Sequence, residues 1–203
     1  MKSHTVDLQV NENSKLVENA LLGLESLIQL CGDDPNRDGL IETPSRVLRA
    51  FLEYTAGYQE DPKDHLTKVF DINYQDIVLI RDIEVHSMCE HHFAPFYGVV
   101  HIGYIPRSYV TGLSKIARMV EGYARRFQVQ ERFTEEIVTA IEDMLEPEGV
   151  MAVVSAKHMC MCGRGIRKSG ATTITKSTRG IFQSNEIKQN EFMYLLQSSI
   201  TNL

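Results

Sequence analysis

Two short clusters of metal-ligating residue types, far apart in the chain, place the strongest constraint on how this sequence can fold. The first is Cys89-Glu90-His91-His92, and the second is His158-Met159-Cys160. Thiolate and imidazole groups hold zinc in proteins, and Cys89-x-x-His92 has the spacing of two ligands on one tight turn. A fold that uses both clusters must bring Cys160 to that turn.

Three protein ligands with one open coordination position are typical of a catalytic zinc, whose fourth ligand is water. Cys160 is the strongest candidate for the third ligand, and His158 and Cys162 flank it. His91 and His158 would then lie beside the metal as imidazoles able to transfer protons near neutral pH. The pattern therefore predicts a hydrolytic site.

The spacing alone leaves one alternative open, in which Cys162 supplies a fourth ligand. That ligand would close the coordination sphere and make the zinc structural. The remaining cysteine, Cys31, follows an apolar helical stretch. We expect it to be a small buried hydrophobic residue.

Composition excludes several classes of protein. The 203 residues suffice for one sizeable core, and contents of 43% hydrophobic and 24% charged residues are those of an ordinary globular protein. We find no 18-residue apolar run and no signal-peptide core, so we expect four reduced cysteines in a cytoplasmic protein without membrane contacts. The net charge of −6 argues against a surface that coats nucleic acid.

The N-terminal part reads as a helical extension over residues 1–70, ahead of a catalytic domain over residues 71–203. Ser14 can cap a first helix whose apolar residues recur at helical spacing until Gly32. Thr43 can cap a second helix, because proline follows it at the first helical position.

The following region switches to β-branched strands interrupted by two amphipathic helices. The order from residue 76 is β-β-α-α-β-β, which favours an α+β fold with a four-stranded antiparallel sheet and both helices on one face. The free edges of such a sheet would need cover, which subunit association can supply. The predicted elements are strands at 77–85 and 96–105, helices at 113–127 and 133–145, strands at 150–158 and 171–182, and a last helix at 186–200.

A candidate anion site lies where the third helix begins, in Gly112-Leu113-Ser114-Lys115. Free N–H groups and the helix dipole favour an anion there, and Lys115 and Arg118 share one helix face. Arg164 follows the second metal cluster between two glycines. Charge alone favours a solvated helix face for Lys115 and Arg118.

Gln130 and Glu131 occupy the short break between the two central helices. A carboxylate there could accept two parallel hydrogen bonds from a planar N–H edge such as that of guanine. An exposed glutamate favoured by the helix dipole would fit the same position.

Taken together, these segments resemble the GTP cyclohydrolase I family. The resemblance extends over roughly residues 14–200, and the segments follow the order found in the family. The matching segments are Glu42-Thr43-Pro44-Ser45-Arg46, Ser87-Met88-Cys89-Glu90-His91-His92, Gly112-Leu113-Ser114-Lys115, Gln128-Val129-Gln130-Glu131-Arg132, and His158-Met159-Cys160-Met161 with Arg164-Gly165.

The resemblance implies the tunnelling fold, a toroidal homodecamer with active sites at subunit interfaces, and GTP as the substrate. It implies Zn²⁺ bound by Cys89, His92 and Cys160, with His91 and His158 as the acid–base pair. The implied substrate contacts are Glu131 and Gln130 for guanine, Ser114 for ribose, Lys115, Arg118 and Arg164 for the triphosphate, and Arg46 from a neighbouring subunit for phosphate.

The implied reaction is the first step of pteridine biosynthesis. In the family, water attacks C8 of GTP, the imidazole ring opens, formate leaves, and the ribose rearranges to give 7,8-dihydroneopterin triphosphate. A tunnelling-fold enzyme with other chemistry would use a similar pocket, but such enzymes lack this combination of clusters. A nucleotide-sensing module without turnover would need Cys162 to close the zinc site.

Overall fold

The structure is a computed structural model that describes residues 14–198. The chain divides into two compact units between Thr55 and Ala56. This division lies before the predicted domain boundary between residues 70 and 71. Residues 56–71 belong with the second unit because Gly57 N–H donates to the Arg125 carbonyl and residues 69–71 pair with a later strand.

The first unit contains helices α1 (Ser14–Leu30) and α2 (Thr43–Tyr54). Helix α1 ends where Gly32 adopts a left-handed φ of 92°, a conformation that glycine accepts without strain. The N-cap of α2 is Glu42 rather than the predicted Thr43. The prediction of a buried Cys31 was wrong: Cys31 is exposed, and no described residue of α1 is buried.

The second unit opens with two 3-10 turns, at Ala56–Gln59 and Pro62–Leu66. Its other elements are β1 (Val69–Asp71), β2 (Val78–Cys89), β3 (Ala94–Ile105), β4 (Tyr109–Thr111), α3 (Leu113–Ala124), β5 (Phe127–Gln128), α4 (Gln130–Leu145), β6 (Gly149–His158), α5 (Met159–Cys162), β7 (Thr173–Gly180), α6 (Ile181–Ser184) and α7 (Glu186–Gln197). The predicted end of the last helix at residue 200 lies outside the described residues.

The main sheet has five strands in the order β5-β2-β3-β6-β7, and β1 and β4 form a separate two-stranded ribbon. The α+β class is confirmed. The prediction of four strands, all antiparallel, was incomplete, because β5 adds a parallel strand beside β2. This strand is only two residues long, too short for a period-2 pattern to mark it in the sequence.

The main core lies between the sheet and helices α3 and α4. Strand residues two apart point to the same face, and helix residues three or four apart share one stripe, so both patterns meet in one apolar layer. The buried residues of this layer include Val100, Ile102, Val150, Ala152 and Val154 from the strands and Ile116, Met119, Val120, Phe133, Ile137 and Ile141 from the helices. No helix within residues 14–198 is both long and apolar enough to cross a membrane.

The opposite face of the sheet is covered in part by α6 and α7. Phe182 and Phe192 pack against Ile105, Met151 and Val153 and are fully buried. Helix α7 is started by Asn185, whose side chain accepts hydrogen bonds from the N–H groups of Ile187 and Lys188.

Close packing of α7 against β3 depends on Gly103. A Cβ at this position would lie 2.5 Å from a ring carbon of Phe192. We predict that Gly103→Ala lowers the free energy of unfolding by about 1–3 kcal/mol, because the buried ring must shift. Urea unfolding monitored by circular dichroism measures the change.

The control for this substitution is Gly170→Ala. A Cβ at Gly170 has no atom within 4 Å, so the free energy of unfolding should change by less than about 0.5 kcal/mol. Equal unfolding midpoints for the two variants would contradict the observed docking of α7.

Candidate active site

The sheet brings the two metal-ligating clusters to one edge. Strands β2 and β6 both pair antiparallel with β3, so they run parallel to each other and finish at the same end. Cys89 ends β2 opposite Ala94, and His158 ends β6 opposite Phe96. The short helix α5 follows immediately and carries Cys160.

The turn after β2 presents the first cluster. The Cys89 carbonyl accepts hydrogen bonds from the N–H groups of His92 at 3.3 Å and Phe93 at 2.9 Å. Phe93 closes the turn with a φ of 51°, an uncommon conformation for a residue other than glycine. Cys89 Sγ is buried and lies 3.8 Å from His92 Nδ1 and 4.0 Å from His91 Nδ1.

Cys89, His92 and Cys160 form a group whose candidate ligand atoms all lie within 4.8 Å of one another. Tetrahedral zinc with sulfur and nitrogen ligands sets these atoms about 3.5–3.8 Å apart. The residues therefore fit a zinc ion with only a small contraction. Two thiols and one imidazole are also ligand types that zinc prefers.

The thiol of Cys160 has a raised pKa in the absence of a cation. Burial is the main cause, and the neighbouring thiol of Cys89 adds to it. A divalent cation bound between these sulfurs would stabilise both thiolates and so reverse the effect. Arg164 opposes the raised pKa, which places its charge near Cys160.

Cys162 lies outside the three-residue group. Its thiol faces the backbone carbonyl of Lys168 at 3.6 Å. The arrangement gives no support to a site closed by a fourth protein ligand.

His158 is held by two contacts. Its ring stacks on Phe96, with centroids 4.6 Å apart and planes 10° apart, and its Nε2 lies 2.8 Å from Gln130 Oε1. Burial lowers the pKa of His158, and the nearby carboxylate of Glu131 opposes that shift in part. A neutral imidazole is the favoured form near pH 7.

The side chain of Gln130 points into the protein, which differs from its predicted contact with guanine. Only 2% of the residue is exposed, and its amide nitrogen donates to the carbonyls of Val154 at 3.1 Å and Thr173 at 3.0 Å. Glu131, the next residue, is exposed in the first turn of α4 and remains free to meet a ligand.

An arginine to which the sequence patterns assigned no role braces the turn that follows β2. Arg132 donates to the Glu90 carboxylate at 2.5 Å and to the Phe127 carbonyl at 2.8 Å, and Glu90 N–H donates to the Gln128 carbonyl. This hydrogen bond from Arg132 is the main reason that the pKa of Glu90 is lowered. No local pattern marks the pair, because the two residues lie far apart in the sequence.

The remaining predicted residues occupy separate positions. Ser114 and Arg118 are exposed near the start of α3, Lys115 is half-buried there, and Gly112 is the N-cap of the helix. His91 is exposed beside Glu90. Within the described residues, no hydrogen bond or ion pair joins these α3 residues to the group of Cys89, His92 and Cys160. Arg46, in the first unit, pairs with Glu42.

Known proteins of one family are similar to this chain over most of its length. Residues 22–197 match the family model of GTP cyclohydrolase I. The GTP cyclohydrolase 1 of Thermobifida fusca (strain YX) is 50% identical over 175 residues, which cover 85% of this chain and 84% of that protein. The GTP cyclohydrolase 1 of Desulforamulus reducens is 50% identical over 177 residues, covering 87% and 95%.

A solved structure, that of the archaeosine synthase QueF-Like in the apo form, aligns with a TM-score of 0.45 at 18% identity and covers 53% of this chain and 97% of that one. The fold and the Cys-His-Cys group define an α+β protein with a candidate metal centre. The chain belongs to the GTP cyclohydrolase I family, so the resemblance read from its motifs is confirmed.

Cys160 and Cys162 allow a matched test of the metal group. We predict that Cys160→Ala loses most of its zinc and all measurable turnover, because two ligands on one turn hold zinc much more weakly than three. Cys162→Ala should keep both. Elemental analysis of the folded variants measures the zinc, and full occupancy in Cys160→Ala would disprove the assignment.

Proposed function

We propose that this protein hydrolyses GTP at C8 of the purine in a zinc-dependent reaction that releases formate and yields 7,8-dihydroneopterin triphosphate. The main support is one observation. The three candidate ligands and His158 share one edge of the sheet in a chain of the GTP cyclohydrolase I family. The product would enter pteridine biosynthesis.

The proposed ligands of the ion are Cys89, His92 and Cys160. When bound, Zn²⁺ would supply a Lewis acid and a nucleophile derived from water near neutral pH. His158, with its lowered pKa, can accept or return a proton at the purine ring. His91, exposed beside the ligands, is the second proton carrier because ring opening and closure require several transfers.

The other contacts follow the chemistry of GTP. Glu131 accepts from the N–H edge of guanine, and its carboxylate lies close enough to His158 to influence its pKa. Lys115, Arg118 and Arg164 bind the triphosphate, and Ser114 binds the ribose. Anions are favoured where α3 begins, because backbone N–H groups and the positive end of the helix dipole meet there.

We also propose the tunnelling fold, a homodecamer with active sites at subunit interfaces, and a cytoplasmic location. Exposed apolar residues on the sheet face that α7 covers only in part support subunit association. Tyr97 is 41% exposed there and Ile174 is 68% exposed. Burying such a face against another copy would remove apolar surface from water.

The direct test is incubation of the zinc-loaded protein with GTP. We expect formate and, after oxidation, a fluorescent pterin. ATP should give neither product, because adenine lacks the adjacent N–H and NH₂ donors of guanine from which the Glu131 carboxylate accepts hydrogen bonds. A chelator should abolish the reaction and zinc should restore it. Tight nucleotide binding without formate would instead indicate a sensing module.

The role of Glu131 in binding guanine can be tested by comparing its substitution with that of another glutamate in the first turn of a helix. We predict that Glu131→Gln weakens GTP binding by about 1–3 kcal/mol, or about 5- to 150-fold, because the new amide sets a donor against the donors of guanine. Isothermal titration with a slowly hydrolysed GTP analogue measures the affinity.

The control is Glu186→Gln, in the first turn of α7. Both substitutions remove a favourable interaction with the helix dipole, so both should lower the free energy of unfolding by at most about 1 kcal/mol. Equal affinity for GTP in the two variants would place the guanine contact elsewhere.

Arg46 tests whether neighbouring subunits share a site. We predict that Arg46→Ala and His158→Ala assemblies are each severely impaired. An equal mixture, unfolded and reassembled, should recover activity in about a quarter of the sites, where an intact His158 meets an intact Arg46 from a neighbour. Formate release from GTP measures the recovery.

The control is each variant unfolded and reassembled alone. Mixed assembly is verified with a mass label on one variant. Verified mixed assemblies without recovered activity would show that Arg46 does not complete the site of a neighbour.

A further inference from the structure

We propose that Gln130 is a positioning residue that holds His158 in the tautomer protonated at Nε2 and so leaves Nδ1 as the nitrogen that exchanges a proton with the substrate. The inference rests on the proposed function for the role of His158. The tautomer itself follows from the hydrogen bonds around Gln130.

The orientation of the Gln130 amide is determined by its surroundings. The amide nitrogen lies 3.1 Å from the Val154 carbonyl oxygen and 3.0 Å from the Thr173 carbonyl oxygen. Backbone carbonyls only accept hydrogen bonds, so the group facing them must be the NH₂ end. A flipped amide would place its oxygen against two other oxygens inside the protein, which costs free energy.

The hydroxyl groups of two threonines indicate the same orientation of the Gln130 side-chain amide. Thr134 Oγ1 donates to the Gln130 backbone carbonyl at 2.7 Å, so it must accept from Thr175 Oγ1 at 2.6 Å. Thr175 then has its oxygen free to accept from the Gln130 amide nitrogen, 3.1 Å away. Every donor in this network therefore has an acceptor only when the NH₂ group of Gln130 points away from His158.

The Gln130 oxygen consequently faces His158 Nε2 at 2.8 Å. An amide oxygen cannot donate, so Nε2 must carry the hydrogen. A neutral imidazole has one N–H, which makes Nδ1 the acceptor. Stacking on the fully buried Phe96 fixes the plane of the ring, so tautomer and orientation are both set.

The first test needs no turnover. Solid-state NMR of histidine-labelled wild-type protein, at a pH where the ring is neutral, distinguishes protonated from unprotonated ring nitrogens. The His158 signals are identified by their loss in His158→Ala. We expect Nε2 to be protonated, and protonation at Nδ1 would overturn the proposal.

Kinetics test the positioning role. Gln130→Met keeps the side-chain length but removes the acceptor, and it should lower kcat for GTP by about 10- to 100-fold with little change in KM or zinc content. Thr134→Val loses a buried hydroxyl of the same network but leaves the contact between Gln130 and His158. It should keep kcat within about threefold of the wild type.

Gln130→Glu retains an oxygen toward Nε2, and its other oxygen, which replaces the NH₂ group facing the Val154 and Thr173 carbonyls, must be protonated to donate there. Its kcat should exceed that of Gln130→Met, and equal kcat values would contradict a role for the acceptor. If both variants fail to fold, the wild-type NMR measurement still decides the tautomer.

A double-mutant cycle separates positioning from structural damage. Gln130→Met should cause no further loss of residual turnover in a His158→Ala background, since Gln130 acts through that ring. Multiplicative losses would overturn the proposal. A wild-type protein that releases no formate from GTP would refute the proposed function, and the NMR result would still stand by itself.

Discussion

The arrangement of this protein depends on the antiparallel pairing of β3 with strands on both of its sides. Because β2 and β6 each run against β3, their last residues reach the same edge, with Cys89 opposite Ala94 and His158 opposite Phe96. A slip of one residue in either pairing would turn the terminal side chain to the other face of the sheet. The candidate metal-ligand group therefore requires the register that β3 keeps with Ile83–Cys89 of β2 and with β6.

The same edge receives the start of α4 through β5. The pairing of Gln128 with Cys89 ties this short strand to the end of β2, and Gln130 and Glu131 follow within three residues. The ion pair between Arg132 and Glu90 adds a second connection. An exposed ion pair of this kind contributes little free energy, so its main effect is to restrict the conformation of the turn.

The sequence predicted the long elements of the fold because α3, α4 and β6 have apolar residues at clear periods, and the clusters at 89–92 and 158–160 predicted the metal group. The sequence could not reveal β5, which is only two residues long, or the inward orientation of the Gln130 side chain. That orientation depends on Thr173 and Thr175, whose position beside Gln130 is set by the pairing of β6 with β7. The exposure of Cys31 was also hidden, since apolar spacing in a helix does not show whether another surface covers it.

The acceptors of Gln130 in β7 also connect the site to the far edge of the sheet. Strand β7 pairs with the preceding strand β6, whereas its contacts with Gln130 join residues 43 and 45 positions apart in the sequence. The full set of hydrogen bonds that holds Gln130 against His158 is therefore present only when β7 is paired. Without β7, Gln130 would keep its contact with Val154 but lose those with Thr173 and Thr175, and so the imidazole would lack part of the network that orients it. The outermost strand thus supports a proposed catalytic side chain that it does not itself touch.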